Sequence, residues 1–469
     1  MPTLRGTLGL ILCVLALYAS PASAIVVDST ADSAVSGDGA CTLREAANNA
    51  NLGGGGDTTG GDCAAGVAGG DTITFSAATN GVPIVLTGAS GEDANLSGDL
   101  DFSDGVTIQG NGAALTLLDG GAADRVLDFR PSAAATVELR ALTVRGGSVV
   151  GDGGGVFYTS GDPSVLTLED CYIGPNVATD DGGGLYVGIG DPTTLTILRT
   201  TIHGNQAGDL GGGILLGIGD TNSVFIVEST ISANTATDGA GIQNVAGGGV
   251  HHVVNSTISG NRATGDGGGI NDGGGTEAWN LASCTITENE ADSDQAGGGS
   301  GGGVRINGPL EVRNTILARN FNILGGEADC DTSTDLVSFG YNLIQDDADC
   351  NVTGDTTGNI TGTAPGLGPR ADYGGPTATH ELLASSQALD AGNPAGCEDT
   401  RGVLLATDQR GEPRTLDGDG VGGAICDIGS YERALSLSLL EIPALGPGGS
   451  AALVGLLLAA AFVRMRRQS

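Results

Sequence analysis

Apolar residues recur along this chain with a long, regular period. Aligned on an Ile or Val that mostly follows Thr and precedes a turn, Val144, Ile173, Ile202, Ile231, Ile258 and Ile286 stand 29, 29, 29, 27 and 28 residues apart, and Ile316 follows after 30. A second marker, the residue after a glycine cluster, gives Val156, Leu185, Ile214, Ile242 and Ile270. Two independent markers with one period identify a repeat architecture. Within a repeat, Leu185, Val187 and Ile189 share one face of a short segment, and Leu195 and Ile197 share one face of the next. Period two predicts strands, about three per repeat, separated by turns. No single repeat can bury a face alone. Repeats therefore stack as coils, each strand pairing in parallel with its neighbours at a rung spacing of about 4.8 Å.

The columns that such stacking creates agree with it. Seven residues before the alignment position stand Val137, Leu166, Leu195, Val224, His251 and Trp279; five before it stand Leu139, Leu168, Ile197, Ile226, Val253 and Leu281. Both read as core. Three residues after it stand Asn176, Asn205, Asn234, Asn261 and Asn289. Asparagine tolerates the left-handed conformation that a tight coil turn needs, and its amide can bond the amide one rung away. Helix formers at 3.6 spacing are missing, so the predicted fold is all-β, a right-handed parallel β-helix.

Open ends need covering. Thr42 and Glu45 have capping-box spacing and predict a short helix through Asn51, with Leu43, Ala46, Ala47 and Ala50 available to cover the core. The expected organisation is a signal peptide over 1–24, an N-terminal cap over 25–70 and the β-helix over 71–325. A disulfide-stapled C-terminal region over 326–433, a linker over 434–448 and a hydrophobic anchor with a basic tail over 449–469 complete it.

Composition adjusts this picture in three places. The 469 residues include 85 glycines and carry a formal charge of -36, with 19 arginines and no lysine. So acidic a surface repels nucleic acid and anionic lipid, and the absence of lysine removes Schiff-base chemistry. Arg5, the apolar stretch Leu8 to Tyr18 and the small residues ending at Ala24 read as a secretory signal cleaved there. Removing Cys13 with it leaves eight cysteines in an oxidising compartment. Cys171 and Cys284 share a column four rungs apart, about 19 Å, too far to bridge. The other six pair by proximity as Cys41–Cys63, Cys330–Cys350 and Cys397–Cys426, a connectivity that sequence leaves open.

Cys41-Thr42-Leu43-Arg44-Glu45-Ala46-Ala47, after the strand Ile25-Val26-Val27, resembles the CSLREA motif that opens many secreted bacterial β-helix proteins, and Cys63 with Asp71-Thr72-Ile73-Thr74-Phe75 continues the likeness. Pro376 to His380, Ala388 to Gly392, Asp408-Gln409-Arg410-Gly411 and Cys426 to Glu432 resemble the choice-of-anchor region that ends such helices. Ile442-Pro443-Ala444-Leu445, the apolar run Ala451 to Val463 and Arg464, Arg466 and Arg467 resemble an IPTL-type sorting tail, although Gly446 and Gly449 replace its usual Ser and Trp. The resemblance implies a pectate-lyase-like solenoid displayed on a Gram-negative surface, with a sorting protease acting on its tail. It implies no activity. The apolar run is shorter than the roughly 20 residues of a comfortable span, and a permanent anchor is the alternative to cleavage.

Candidate chemistry is sparse. Asp152, Asp181, Asp238 and Asp266 stand four residues before the second marker, with Asp209 one residue off; they read as Asp-Gly turns, or as Ca²⁺ ligands. Asp417 and Asp419 flank a flexible turn and are candidate metal ligands, without the distal Glu of an EF-hand loop. Asp180 and Asp181 resemble the paired aspartates of polygalacturonase-type hydrolases. No Gly-His-Gly element follows, and Arg305-Ile306-Asn307 lacks the lysine of their Arg-x-Lys element. His251 falls in a core column, while His203, His252 and His380 complete no triad order or metal spacing. No catalytic residue is assigned, and Ca²⁺ is the one candidate ion. The expected function is adhesive or structural, binding glycan, matrix or neighbouring cells. A Ca²⁺-dependent polysaccharide lyase or a glycoside hydrolase is the alternative.

Overall fold

The alternating segments become strands, four to a coil where three were expected. In the coil that starts at Ser164, Ser164–Glu169 is followed by Tyr172–Ile173, Val177–Ala178 and Leu185–Val187, before Thr193–Leu198 begins the next. The additional strand, two residues long and starting directly after the Asn column, is too short to carry any periodicity. The computed structural model describes residues 24–435, apart from 68–69, 89–90, 92–93, 189–192, 218–221, 246–247, 275–276, 323–325 and 328. Ala434–Ser469 forms a second unit, described only at 434–435. Among the described residues, equivalent strands stack into sheets of twelve, eleven, eight and nine strands, here sheets 1 to 4 in coil order. Pairing is parallel throughout them except where Phe321–Asn322 meets Gly326–Glu327. The chain is a parallel β-solenoid.

The registers are those of the sequence columns. Leu166, Leu195, Val224, His251, Trp279 and Leu310 are successive partners in sheet 1, as are Leu168, Ile197, Ile226, Val253 and Leu281. Ile173, Ile202, Ile231, Ile258 and Ile286 align in sheet 2. The next member is Leu317, and Ile316 pairs with Thr285 on the outward face instead. Ile316 is apolar because it lies in a small external core with Leu343, Leu367, Leu382, Ala388 and Ile428. Earlier coils meet the strap with threonine hydroxyls, whereas here the outside contact is apolar, so an Ile stands one residue before the core position.

The Asn column forms a continuous buried ladder. The Nδ2 of Asn176, Asn205, Asn234, Asn261 and Asn289 each donates to the Oδ1 of the next asparagine, at 2.9–3.1 Å, and the last partner is Asn320. The same Oδ1 atoms accept the backbone N–H of the preceding asparagine, and each Nδ2 also reaches a main-chain carbonyl such as Ile202 O. One side chain thus satisfies three backbone or amide groups at a corner the sheets cannot reach. Asp329 ends the ladder, accepting from the Asn320 amide and side chain. The expected left-handed backbone belongs to the preceding residue: Gly204 (φ +69°), Ala233 (φ +53°) and Glu288 (φ +61°) take it, and the ladder asparagines do not. A parallel ladder of hydroxyls and thiols runs through Cys171, Thr200, Ser229, Ser256 and Cys284, with each backbone N–H from Cys171 to Ser229 donating to the next hydroxyl.

At the N-terminal end, Ile25–Val27 pairs with Ile73–Phe75, and helix α1 (Leu43–Ala50) lies against it and Leu100–Phe102. The capping box is formed: Thr42 Oγ1 accepts Glu45 N–H, and Glu45 Oε2 accepts Thr42 N–H. Arg44, buried, pairs with Asp32 at 2.7 Å and donates to Gly98 O and Asp99 O, which ties the helix to the first coils.

Parallel pairing continues through Ile360–Thr361, well past residue 325, because Leu336–Phe339 and Leu343–Ile344 keep the alternating pattern. After it the chain turns into a hairpin of Leu367–Ala371 with Thr379–Leu382 and a loop-rich strap. The strap covers the outward Thr and Ser residues of sheet 2. Thr257 Oγ1 meets Thr379 Oγ1 at 2.8 Å and Gln409 Oε1 at 2.6 Å, and Ser430 Oγ meets Thr285 Oγ1 at 3.0 Å. Fully buried Arg414 donates to Asn255 Oδ1 and Gly429 O beside Glu432. Disulfides join Cys41–Cys63, Cys330–Cys350 and Cys397–Cys426, as proximity suggested, and Cys171 and Cys284 remain buried thiols.

Asn234→Ala is expected to destabilise the chain by about 2–4 kcal/mol, because it strands several buried donors and acceptors at once. Urea unfolding followed by circular dichroism measures it. A loss no larger than that of an outward, half-buried substitution such as Thr167→Ala would mean the ladder does not hold the coils in register.

Candidate functional site

Two concave regions stand out on the solenoid, and each follows from a local sequence choice. The first is a trough of about 600 Å³ along the turns that lead into sheet 1, lined by Gly70, Gly105, Ala135, Thr136, Ser164 and Thr194 among others. Small residues at consecutive turns leave it open; a Cβ at Gly105 would come within 3.0 Å of Thr136 O. It crosses five successive strands, about 19 Å along the axis. A smaller hollow of about 200 Å³ shares Gly70 and Thr136 and adds Thr72, Thr107 and Glu138. These belong to an outward column, Thr72, Thr107, Glu138, Thr167 and Thr196. Glu138 is held below the usual carboxylate range by its hydrogen bonds from Arg140, and Arg140 also reaches Glu169, which pairs with Arg199. The walls offer mainly hydroxyls and backbone groups, with carboxylates at Asp104 in the trough and at Asp71 and Glu138 in the hollow.

The second is a cavity of about 290 Å³ between α1 and the first coils of sheet 4, lined by Asn48, Asn51, Asp101, Ser103, Asp128 and Arg130 with Ala94 and Phe102. Asp101 and Asp128 are register partners, one coil apart. Asp99 lies behind them, 3% exposed, and one oxygen from each of the three lies within 4.8 Å of the others. Burial, and then Asp101 and Asp124, push the Asp99 carboxyl up to about 8. Arg125 reaches Asp99 at 3.1 Å and Asp128 at 2.7 Å, while Arg130 holds both Asp128 oxygens at 2.9 Å. Both guanidiniums also sit over Phe157, at 4.8 and 4.9 Å, and Phe157 stacks on Tyr186 at 4.9 Å with an interplanar angle of 3°. The Phe157 faces are thereby occupied. Sequence reading passed over this cluster, yet a signal exists: Leu100-Asp101-Phe102 and Leu127-Asp128-Phe129 repeat one tripeptide at 27-residue spacing.

The residues singled out from sequence lie elsewhere. Asp152 accepts Asp181 N–H, Asp181 accepts Leu210 N–H at 3.0 Å, and Asp238 accepts Asp266 N–H, so this column serves as a carboxylate ladder of the turns. Burial and the stacked aspartates push Asp181 up to about 6. Asp180 beside it is exposed. Asp417 and Asp419 are joined by Asp390, whose oxygens accept Gly418 and Asp419 N–H, while Asp417 accepts Gly420 N–H and Asp419 accepts Val421 N–H. His251 packs against Trp279, centroids 4.6 Å apart, and burial pushes it down to about 4. His380, to which the sequence assigned no neighbouring Ser, places Nε2 2.8 Å from Ser259 Oγ, but both are buried and its Nδ1 faces Gly368 O rather than a carboxylate. His203 and His252 meet Ser232 and Thr400. Ala24 begins the described residues, and Ile442, Pro443, Ala444 and Leu445 lie outside them.

Comparison with protein-family models, curated proteins and solved structures finds no match to this chain.

Two further buried carboxylates act in the same direction as Asp99 and Asp181. Burial pushes Asp329 up to about 6, and burial with the nearby Glu432 pushes Asp427 up to about 7. In the unfolded chain both return to about 4. Their raised values favour the folded state fully below that pH, and the benefit is lost as pH rises through about 6 to 7. Buried His251, held down to about 4, opposes this by favouring the unfolded chain at pH 5, but the carboxylates outweigh it. The chain is expected to be more stable at pH 5 than at pH 8 by on the order of 1–3 kcal/mol, with a higher melting temperature, and Asp329→Asn should narrow the gap. Calorimetric melts across this range check it; a melting temperature that climbs from pH 5 to pH 8 contradicts it.

Proposed function

We propose that this chain is an exported, surface-displayed β-solenoid rod that binds an extended glycan along its hydroxyl-lined trough. The observation that carries this reading is the trough itself: Thr136, Ser164 and Thr194 line a continuous concavity across five strands. Donor-acceptor hydroxyls in an elongated groove suit a polymer of sugar hydroxyls. Three disulfides suit an oxidising compartment outside the cytoplasm. The CSLREA-like opening and IPTL-like tail support display on a Gram-negative surface, with the tail either processed by a sorting protease or retained as an anchor. The coils wind to the right, the hand that parallel crossover connections favour. The helix α1 with its capping box serves as the N-terminal cap.

A specific observation also favours glycoside hydrolysis: Asp101 and Asp128 share a cavity and bring one oxygen each within 4.8 Å, as close a pair as a retaining mechanism needs. Two guanidiniums already engage Asp128, which weakens it as a nucleophile, so binding remains the better reading.

A glycan array probed with the purified full chain is expected to show a polysaccharide ligand. Thr136→Trp, which fills the trough at an exposed position, should weaken its binding at least 10-fold without changing the melting temperature. Unchanged binding would remove the trough from the function. Release of reducing ends that Asp101→Asn abolishes would favour the hydrolase, and loss through Asp180→Ala or Asp181→Ala would move catalysis to the turn ladder.

A further inference from the structure

We infer that Asp99, Asp101 and Asp128 form a Ca²⁺ site that joins the N-terminal segment to the first coils of the solenoid. The three carboxylates come from two neighbouring rungs of sheet 4 and each presents an oxygen to a common point, within 4.8 Å of one another. A second observation is independent of their clustering. Asp99 Oδ1 is buried and has no hydrogen-bond partner, whereas Asp99 Oδ2 is engaged by Arg125. Leaving a buried carboxylate oxygen unmatched is costly, so an oxygen held in that state beside two others marks a place for a cation.

The local charge favours a divalent ion. Asp101, Asp124 and Asp128 all act on Asp99 against Arg125, so among the described residues carboxylates crowd this point. The donor set specifies its type. It is all oxygen, without His or Cys, which selects hard cations over zinc or copper. The adjoining 290 Å³ cavity leaves room for several water ligands, and irregular oxygen shells of six to eight suit Ca²⁺ better than the strict octahedron of Mg²⁺. Asp128 keeps its guanidinium contacts, since each carboxylate oxygen has two lone pairs. The Asp390–Asp417–Asp419 cluster has no comparable orphan: each of its members already accepts backbone N–H groups.

The site also has a structural use. Arg44 of α1 donates to the carbonyl of Asp99, and Asn51 of the same segment donates to the carbonyl of Asp101, so an ion there would tighten both. It does not depend on the glycan reading, and its test is separate. Chelator-treated full chain is titrated with CaCl₂ in a calorimeter and melted with and without the ion. One saturable site with a Kd below about 1 mM and a rise in melting temperature of about 2 °C or more near saturation are expected. Asp101→Asn and Asp99→Asn should each weaken binding at least 10-fold, and Asp101→Asn, being only partly buried, decides the matter if the other variant fails to fold. Asp417→Asn with Asp419→Asn should leave binding unchanged. No heat and no thermal shift with Ca²⁺, or binding lost only in the Asp417/Asp419 variant, overturns the site.

Discussion

The solenoid depends on one constraint: at every corner, backbone groups buried between coils must find partners that no sheet supplies. Parallel strands satisfy their neighbours along the axis, but a corner leaves N–H and C=O groups facing inward. The Asn ladder meets that need with one residue type repeated at one position. Each amide reaches up to the next amide, back to a carbonyl and across to an N–H, so removing one affects two rungs. Its spacing of 27 to 31 residues is set by loop length elsewhere in the coil, which is why the coils tolerate insertions while Asn176 to Asn320 stay aligned. The Asp329 terminus shows the same logic at the end of the stack: a carboxylate has only acceptors, and the last rung has only donors left to satisfy.

Ladders also account for much that looked like chemistry. The stacked aspartates before the glycine clusters accept amides from the coil above, and the column of Cys, Thr and Ser does so at another corner. Burial raises Asp181 most, and repulsion from the aspartates stacked along the axis adds to it. A cysteine in such a column is a substitute for serine. Burial pushes both thiols up to about 12, which leaves them protonated and inert.

Much of the fold was legible because stacked columns turn three-dimensional neighbours into a sequence period. Core faces, the Asn ladder, the capping box and the cysteine pairs all follow local rules of spacing. What escaped had no periodic trace. The two-residue strands of sheet 3 are too short to alternate, and the left-handed residue hides beside the asparagine it was credited to. Ile316 looked like one more core residue because Leu367, Leu382, Ala388 and Ile428, far later in the chain, cover it, a contact between segments that no repeat encodes. The same limit applies to the sites. Asp417 and Asp419 could be seen as a pair, but Asp390 enters only through the disulfide-closed strap. Asp99, Asp101 and Asp128 occupy the irregular first coils, where the long period is weakest and only a repeated Leu-Asp-Phe betrays their register.

Where the ladders stop, the surface becomes available for other work. Along the middle coils, sheet 2 is sealed by the strap, whose Gln409 and Thr379 both meet Thr257 and whose Ser430 meets Thr285. Sheet 4 carries the stacked Phe157 and Tyr186, with the guanidiniums of Arg125 and Arg130 over Phe157. Sheet 1 differs in its N-terminal half, where glycine and alanine turns recede and Thr72, Thr107, Thr167 and Thr196 face outward. Hydroxyls in parallel rows about 4.8 Å apart are a periodic template, and a polymer with regularly spaced hydroxyls can match it at many points with weak bonds. Such a surface favours retention of long chains over capture of single sugars. That preference follows from the same stacking that builds the core.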